Sequence, residues 1–118
     1  MSAADDLFAS IEKGDIDGVR AIYSPDAVIW HNTDGIEQNV DQNLATLRWV
    51  CDNLAERAYE EVRRTEFDGG FVQQHVLRFT KDGDRREIPA CIVATVADGR
   101  ITRIDEYIDS AHVARITG

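Results

Sequence analysis

The chain is poor in the residues that staple, kink or anchor a protein. Two cysteines and two prolines in 118 residues rule out a disulfide scaffold and a proline-rich linker. Cys51 and Cys91 each lie within an apolar segment and are expected to be buried free thiols. No CxxC pair and no His/Cys cluster has metal-ligand spacing, so neither a metal nor a cofactor is expected. Basic residues are also scarce: 13 Lys and Arg against 22 Asp and Glu give a net charge of -9. Only Arg63-Arg64 and Arg85-Arg86 are adjacent, so no basic stripe exists for a nucleic acid partner. No apolar run approaches the roughly 20 residues of a membrane span. The opening "MSAADDLFAS" lacks the basic and apolar regions of a signal peptide. A cytoplasmic, reducing location is the expectation. With no repeats and no low-complexity segments, residues 1–118 read as one domain, and 43% hydrophobic content suffices for a core.

Periodicity supplies the element order. "AADDLFASIEKGD" predicts a helix with Leu7, Phe8 and Ile11 on one face, stopped at Gly14. "DIDGVRAIYSPD" predicts a second, shorter helix ended by Ser24-Pro25. A strand over 26–32 follows, then a polar loop, "NTDGIEQN". Asp41 is the expected cap of a longer helix to about Leu54, with Leu44, Leu47, Val50 and Leu54 as its stripe. Four strands are expected over 57–67, 71–80, 85–97 and 100–109, joined by the turn signals "DGG", "KDGD" and "ADG". Helices first and antiparallel strands afterwards make an α+β arrangement. Such a sheet can curl around the helices and leave a cavity.

Alternation within the strands places ionisable groups on apolar faces. In 71–79 the odd positions read Phe71, Gln73, His75, Leu77 and Phe79. In the last strand Thr102, Ile104, Glu106 and Ile108 share the face expected inside, while Arg103, Asp105 and Tyr107 face out. In the first strand Ala27 and Ile29 lead to His31 on one face. An isolated buried carboxylate is unfavourable unless neutral, paired or watered. Three strands that each carry one titratable group inward therefore suggest a lined pocket. His112, in the tail, is expected to be solvated, and Trp30 and Trp49 to be core or pocket wall.

The segments "AIYSPDAVIWHN", "FVQQHVLRFTKDG" and "VADGRITRIDEYID", in that order after two helices, resemble the nuclear-transport-factor-2-like superfamily, most closely its SnoaL-like polyketide cyclase branch. The resemblance implies a cone-shaped curved antiparallel sheet wrapped around N-terminal helices, an apolar pocket and a homodimer through the sheet's outer face. In limonene-1,2-epoxide hydrolases a last-strand Asp corresponds to Glu106. Their Arg-x-Asp pair falls on Gln73 and His75, so epoxide hydrolysis by that mechanism is not expected. In ketosteroid isomerases the base Asp corresponds to His31, the first-helix Tyr to Phe8, and the protonated Asp falls near Ile92. An enolate would then lack an evident stabiliser. SnoaL-like cyclases pair a histidine with a strand carboxylate, a pattern that His75 and Glu106 fit.

The expected function is cofactor-independent proton transfer on a small apolar, oxygenated ligand, of cyclase, isomerase or hydrolase type. Glu106 would act as acid or base, His75 as its hydrogen-bonded partner and His31 as a second proton carrier. Gln73 would orient an oxygen, and Phe8, Ile29, Trp49, Ile104 and Ile108 would form the apolar wall. The alternative is a non-catalytic ligand-binding or dimerisation module of the same fold.

Overall fold

The computed structural model describes residues 2–109 and 111–112. Helix α1 (Ala3–Lys13) begins in a capping box: the Ser2 hydroxyl accepts from the Asp5 N–H, and the Asp5 carboxylate accepts from the Ser2 N–H. It stops at Gly14, whose φ of 76° suits a residue without a Cβ. Helix α2 (Ile16–Ile22) is capped by Asp15. Helix α3 (Val40–Asn53) is capped by Asn39 rather than Asp41. Asn39 forms the reciprocal pair with Gln42, while Asp41 bonds Arg20 across to α2.

Among the described residues six strands form one curved, unclosed sheet in the order β2-β1-β6-β5-β4-β3. They are β1 (Tyr23–His31), β2 (Glu37–Gln38), β3 (Ala55–Phe67), β4 (Gly70–Lys81), β5 (Asp84–Ala97) and β6 (Arg100–Ile108). The α+β class holds, with two corrections. The sheet is not wholly antiparallel, because β1 runs parallel to β6. The expected polar loop contains β2, which pairs with the end of β1. β1 also starts three residues early. Its ladder to β6 jumps from Tyr23–Ile101 to Val28–Arg103, and that irregularity absorbs Pro25, which has no N–H to offer a rung.

The hairpin turns follow the Asp-Gly signals. At Asp82-Gly83 and Asp98-Gly99 both residues have positive φ, which matches the twist of the flanking strands. Bulges then change the phase of alternation. In β3, Glu56 and Glu61 have φ of 52° and 51° at its two register shifts. In β6 a shift opposite Thr95 and Val96 turns Ile101 inward. Thr102, expected inside, instead sends its hydroxyl to the Thr95 carbonyl. Pro89 sits in β5 opposite Val76, one residue before Ala90, where the pairing with β6 begins.

The inner face of the sheet packs on the helices through a core that includes Leu7, Phe8, Val19, Ile29, Leu44, Phe71, Ile92, Ile101 and Ile104. Each such side chain contributes roughly 1.5–3 kcal/mol when fully buried. A smaller cluster, Leu54, Phe79 and Ile88, lies apart from it. One guanidinium joins helices to sheet. From the start of β3, Arg57 donates to the carbonyls of Ile11 (3.0 Å), Glu12 (3.2 Å), Cys51 (3.0 Å) and Leu54 (2.8 Å). These are carbonyls at the C-terminal ends of α1 and α3, and α3 has no basic residue in its own last turn. Arg57 therefore adds donors at both helix ends and supplies α3 with the positive charge that its own last turn lacks, whereas α1 also has Lys13 and the Gly14 N–H there.

Both cysteines are free and half-buried rather than buried. His112 is not solvated: it is half-buried, with Nδ1 3.0 Å from the Glu87 carbonyl of β5. Trp30 is on the outer face, edge-on to Tyr107, and so belongs neither to the core nor to the pocket.

The Arg57 contacts carry an expected outcome. Arg57→Met should lower the unfolding free energy in urea by about 2–3 kcal/mol, because it leaves several helix-end carbonyls unpaired. Arg78→Met, which removes more exposed, solvent-screened ion pairs to Glu60, Glu61 and Glu87, should cost clearly less than Arg57→Met. Equal losses in the two variants would show that Arg57 is an ordinary surface charge.

Candidate active site

Strand alternation brings Glu106, His31 and His75 to the inner face, and the parallel β1–β6 register sets His31 directly beside Glu106. Asn32 fixes that register. Its side chain donates to the Ile108 carbonyl (3.1 Å) and accepts from the Ile108 N–H (2.8 Å), while its own N–H bonds the Glu106 carbonyl. His31 Nε2 then lies 3.0 Å from Glu106 Oε1, with the two side chains 17% and 21% exposed. Glu106 Oε2 has no partner among the described residues.

His75 is more deeply enclosed, at 4% exposure. Its ring meets Phe8 and Tyr59 edge-on, with centroids 5.4 and 4.8 Å away. Its Nδ1 is 2.9 Å from the Gln73 side-chain nitrogen.

These groups line a cavity of about 310 Å³ between the two apolar clusters. Ile11, Leu47, Trp49, Leu54, Ile88 and Ile108 supply apolar wall, and His31, Tyr59, His75 and Glu106 supply the chemistry. Thr33 and Asp34 also line it, and the rest of its polar side is Gln38, Asn43 and Thr46. These last three extend a hydrogen-bonded line from the buried Tyr23 hydroxyl to Asn43 (2.8 Å), Asn43 to Gln38 (3.1 Å) and Gln38 to Thr46 (3.1 Å). A wider groove of about 600 Å³, lined by Val62, Gln74, Pro89, Cys91 and Tyr107 among others, opens to solvent. The ionisable groups converge in the smaller cavity, and that is where we place the candidate site.

Glu106 is the electrostatic hub. Its hydrogen bond raises the His31 pKa above the ordinary value, against the lowering effect of burial. Desolvation lowers His75 and outweighs the raising influence of Glu106. Desolvation, reinforced by the Glu106 charge, raises both Tyr23 and Tyr59, so these phenols stay protonated.

Among the residues singled out from sequence, His31, His75, Glu106, Trp49 and Ile108 line the cavity. Phe8, Ile29 and Ile104 do not: they pack in the main core behind it. Gln73 is buried beside His75 and is absent from the lining. The pairing also differs from expectation. The direct partner of Glu106 is His31, because parallel pairing aligns them, and His75 is bonded to Gln73 two residues away on its own strand. Tyr59 went unread because the β3 bulges hide its face. Arg57 and Tyr59 point inward at odd positions, and after the bulge at Glu61 the half-buried Arg64 reaches Asp5 of α1 from an even one.

A family model described as SnoaL-like domain matches residues 4–104. No curated protein is similar at a significant level. Wild-type IdmH from Streptomyces antibioticus, proposed to be a polyketide cyclase, superposes with a TM-score of 0.84 at 18% identity, covering 98% of this chain and 96% of its own. A proposed SnoaL-like polyketide cyclase from Shewanella putrefaciens gives 0.82 at 13% identity, with 98% and 93% covered. An LEH-like epoxide hydrolase of M. tuberculosis gives 0.75 at 20% identity, with 97% and 85% covered. At these identities the likeness is one of fold.

The two inner histidines should titrate in opposite directions in an NMR pH series, His31 with a midpoint above 6.5 and His75 with one below it. Glu106→Gln should bring His31 down. The linked stabilities have opposite signs. The His31 contribution is full below its unfolded value of about 6.5 and is lost as pH rises through the folded value. The His75 contribution is full above about 6.5 and is lost as pH falls through its depressed folded value. Coincident midpoints would refute this picture of the site.

Proposed function

The chain belongs to the SnoaL-like domain family, and on that premise we propose that it is a cofactor-independent acid/base enzyme acting on a small apolar, oxygenated molecule. The observation that carries the reading is Glu106, half-buried among apolar wall. One oxygen is held by His31 and the other is without a partner among the described residues, where the cavity can present a substrate. A carboxylate so held is oriented by an imidazole that also offsets its charge, and its second oxygen is free to take a proton. At about 310 Å³ the cavity is near the lower end of the usual range for ligand sites. It suits a ligand of one or two rings. Gln38, Asn43 and Thr46 offer polar contacts for ligand oxygens. The broken epoxide hydrolase pattern at Gln73 and His75 favours proton transfer at carbon over epoxide opening. The free thiols accord with a reducing, cytoplasmic setting.

A homodimer through the outer sheet face is part of this reading. Arg103 is already paired with Asp105 and Glu37 of its own chain. The adhesive part of that face is then apolar: Val93 and Tyr107 are 37% and 49% exposed, and Val62 is 46% exposed. Sedimentation of wild type should give twice the monomer mass and Tyr107→Asp a monomer; a wild-type monomer at high concentration would remove this part.

The catalytic reading is tested with an apolar bicyclic ketone, 2-decalone, in D₂O. Wild type should speed exchange of the proton next to the carbonyl, and Glu106→Gln should lose at least about a hundredfold of that rate. Both forms should still bind the ketone, as read from shifts of the His75 resonances. Binding without faster exchange in wild type would favour the non-catalytic ligand-binding module.

A further inference from the structure

Two neutral donors face the same cavity as Glu106, and one residue behind them determines what one of them can do. His75 Nδ1 meets the Gln73 side-chain nitrogen at 2.9 Å, both residues being nearly inaccessible at 4% and 1% exposure. An amide N–H that donates to Nδ1 makes that ring atom an acceptor, so the single proton of the neutral imidazole must sit on Nε2. The amide orientation follows from what it strands. As oriented, only Gln73 Oε1 is buried without a partner among the described residues. The reverse orientation would strand an NH₂ with two donors, which protein interiors tolerate less readily than an under-used carbonyl oxygen.

Neither His75 Nε2 nor the Tyr59 hydroxyl has a hydrogen-bond partner among the described residues. Neither is sealed off, since Gln73 Oε1 is the one enclosed orphan there. Both residues line the cavity, and their rings brace each other edge-on at 4.8 Å. Phe8 holds both from α1, with centroids 4.8 Å from Tyr59 and 5.4 Å from His75.

We propose that Gln73 is a positioning residue that locks His75 as the Nε2–H tautomer, so that His75 and Tyr59 form a donor pair for the carbonyl oxygen of a bound ketone or related enolisable carbonyl compound. The inference deepens the proton-transfer reading above and rests on it for its chemistry. Glu106 Oε2 takes the proton from the carbon beside the carbonyl, forming an O–H bond. The C–H electron pair becomes a C=C bond, and the carbonyl π pair moves onto oxygen. The resulting enolate oxygen is held by the two donors, and return of the proton from Glu106 to carbon completes the cycle. Neutral donors suit this task, because they bind the developing anion without an ion of their own to be solvated. Burial keeps both groups neutral and protonated where the donor role needs it. The stabiliser missing at Phe8 and Ile92 is thus supplied from β3 and β4.

The test begins on wild-type protein with ¹⁵N-labelled histidine. His75 should show an unprotonated, pyridine-type Nδ1 and a protonated, pyrrole-type Nε2 at pH 8. A protonated Nδ1 overturns the proposal without any variant. The second arm uses 2-naphthol, whose anion mimics a planar enolate. Tyr59→Phe and Gln73→Glu should each weaken its binding about tenfold or more, the energy of roughly one hydrogen bond. Gln73→Glu, whose carboxylate accepts from Nδ1–H, should also reverse or abolish the tautomer. If Gln73→Glu fails to fold, Tyr59→Phe and the wild-type spectrum still decide. Unchanged naphthol affinity in Tyr59→Phe overturns the donor pair. Retained proton exchange in Glu106→Gln, with the tautomer and naphthol results as expected, would instead overturn the role of Glu106 and leave the donor pair standing.

Discussion

The candidate site depends on one constraint, the parallel seating of β1 against β6. The other pairings of the sheet are antiparallel and could be made by local hairpins or short returns. This one joins strands from opposite ends of the chain, and it alone sets His31 beside Glu106. Asn32 pins the junction at its last rung, where a one-residue slip would turn His31 to the other face. Arg57 performs the matching service on the helix side. By gathering carbonyls from the ends of α1 and α3, it holds those helices over the sheet at a fixed height. The cavity is the space that this arrangement leaves between two apolar clusters.

Electrostatically the site is organised around one carboxylate with four protonatable neighbours of different character. His31 is drawn toward the charged form, His75 toward the neutral one, and the two phenols are kept from ionising. Groups pushed in opposite directions within one small cavity can hold different protonation states at one pH. Proton relay chemistry requires that condition. A purely structural set of buried polar groups would be expected to satisfy one another. Here Glu106 Oε2, Tyr59 Oη and His75 Nε2 are all left without partners among the described residues.

What could be read from sequence was whatever depended on unbroken periods. The inward face of β4, from Phe71 through His75 to Phe79, follows plain alternation and was legible, as were the Asp-Gly turns and the Leu7-Phe8-Ile11 stripe. What escaped depended on breaks or on distant pairing. A bulge moved Ile101 in and Thr102 out, and two bulges in β3 hid Tyr59. Asn39 outcompeted Asp41 as a cap because Gln42, three residues on, could return the bond. The partner of Glu106 could not be read from any one strand, since it is fixed by a crossover spanning most of the chain. Phe8, Ile29 and Ile104 share faces with the site residues but sit deeper, and periodicity does not report depth.

Pro89 bears on how the protein behaves when crowded. Residues 84–89 of β5 have β4 on one side and lie beyond the rungs that β6 provides on the other. That side carries no further strand among the described residues, and an unpaired edge is a template for a strand from another molecule, and so for edge-to-edge aggregation. A strand arriving there would find no N–H at Pro89, and at Glu87 a carbonyl already in contact with His112. The same stretch contributes Ile88 to the cavity wall and leads into Ala90, also in that wall. The wall can therefore remain a single strand thick without making the molecule adhesive along that edge.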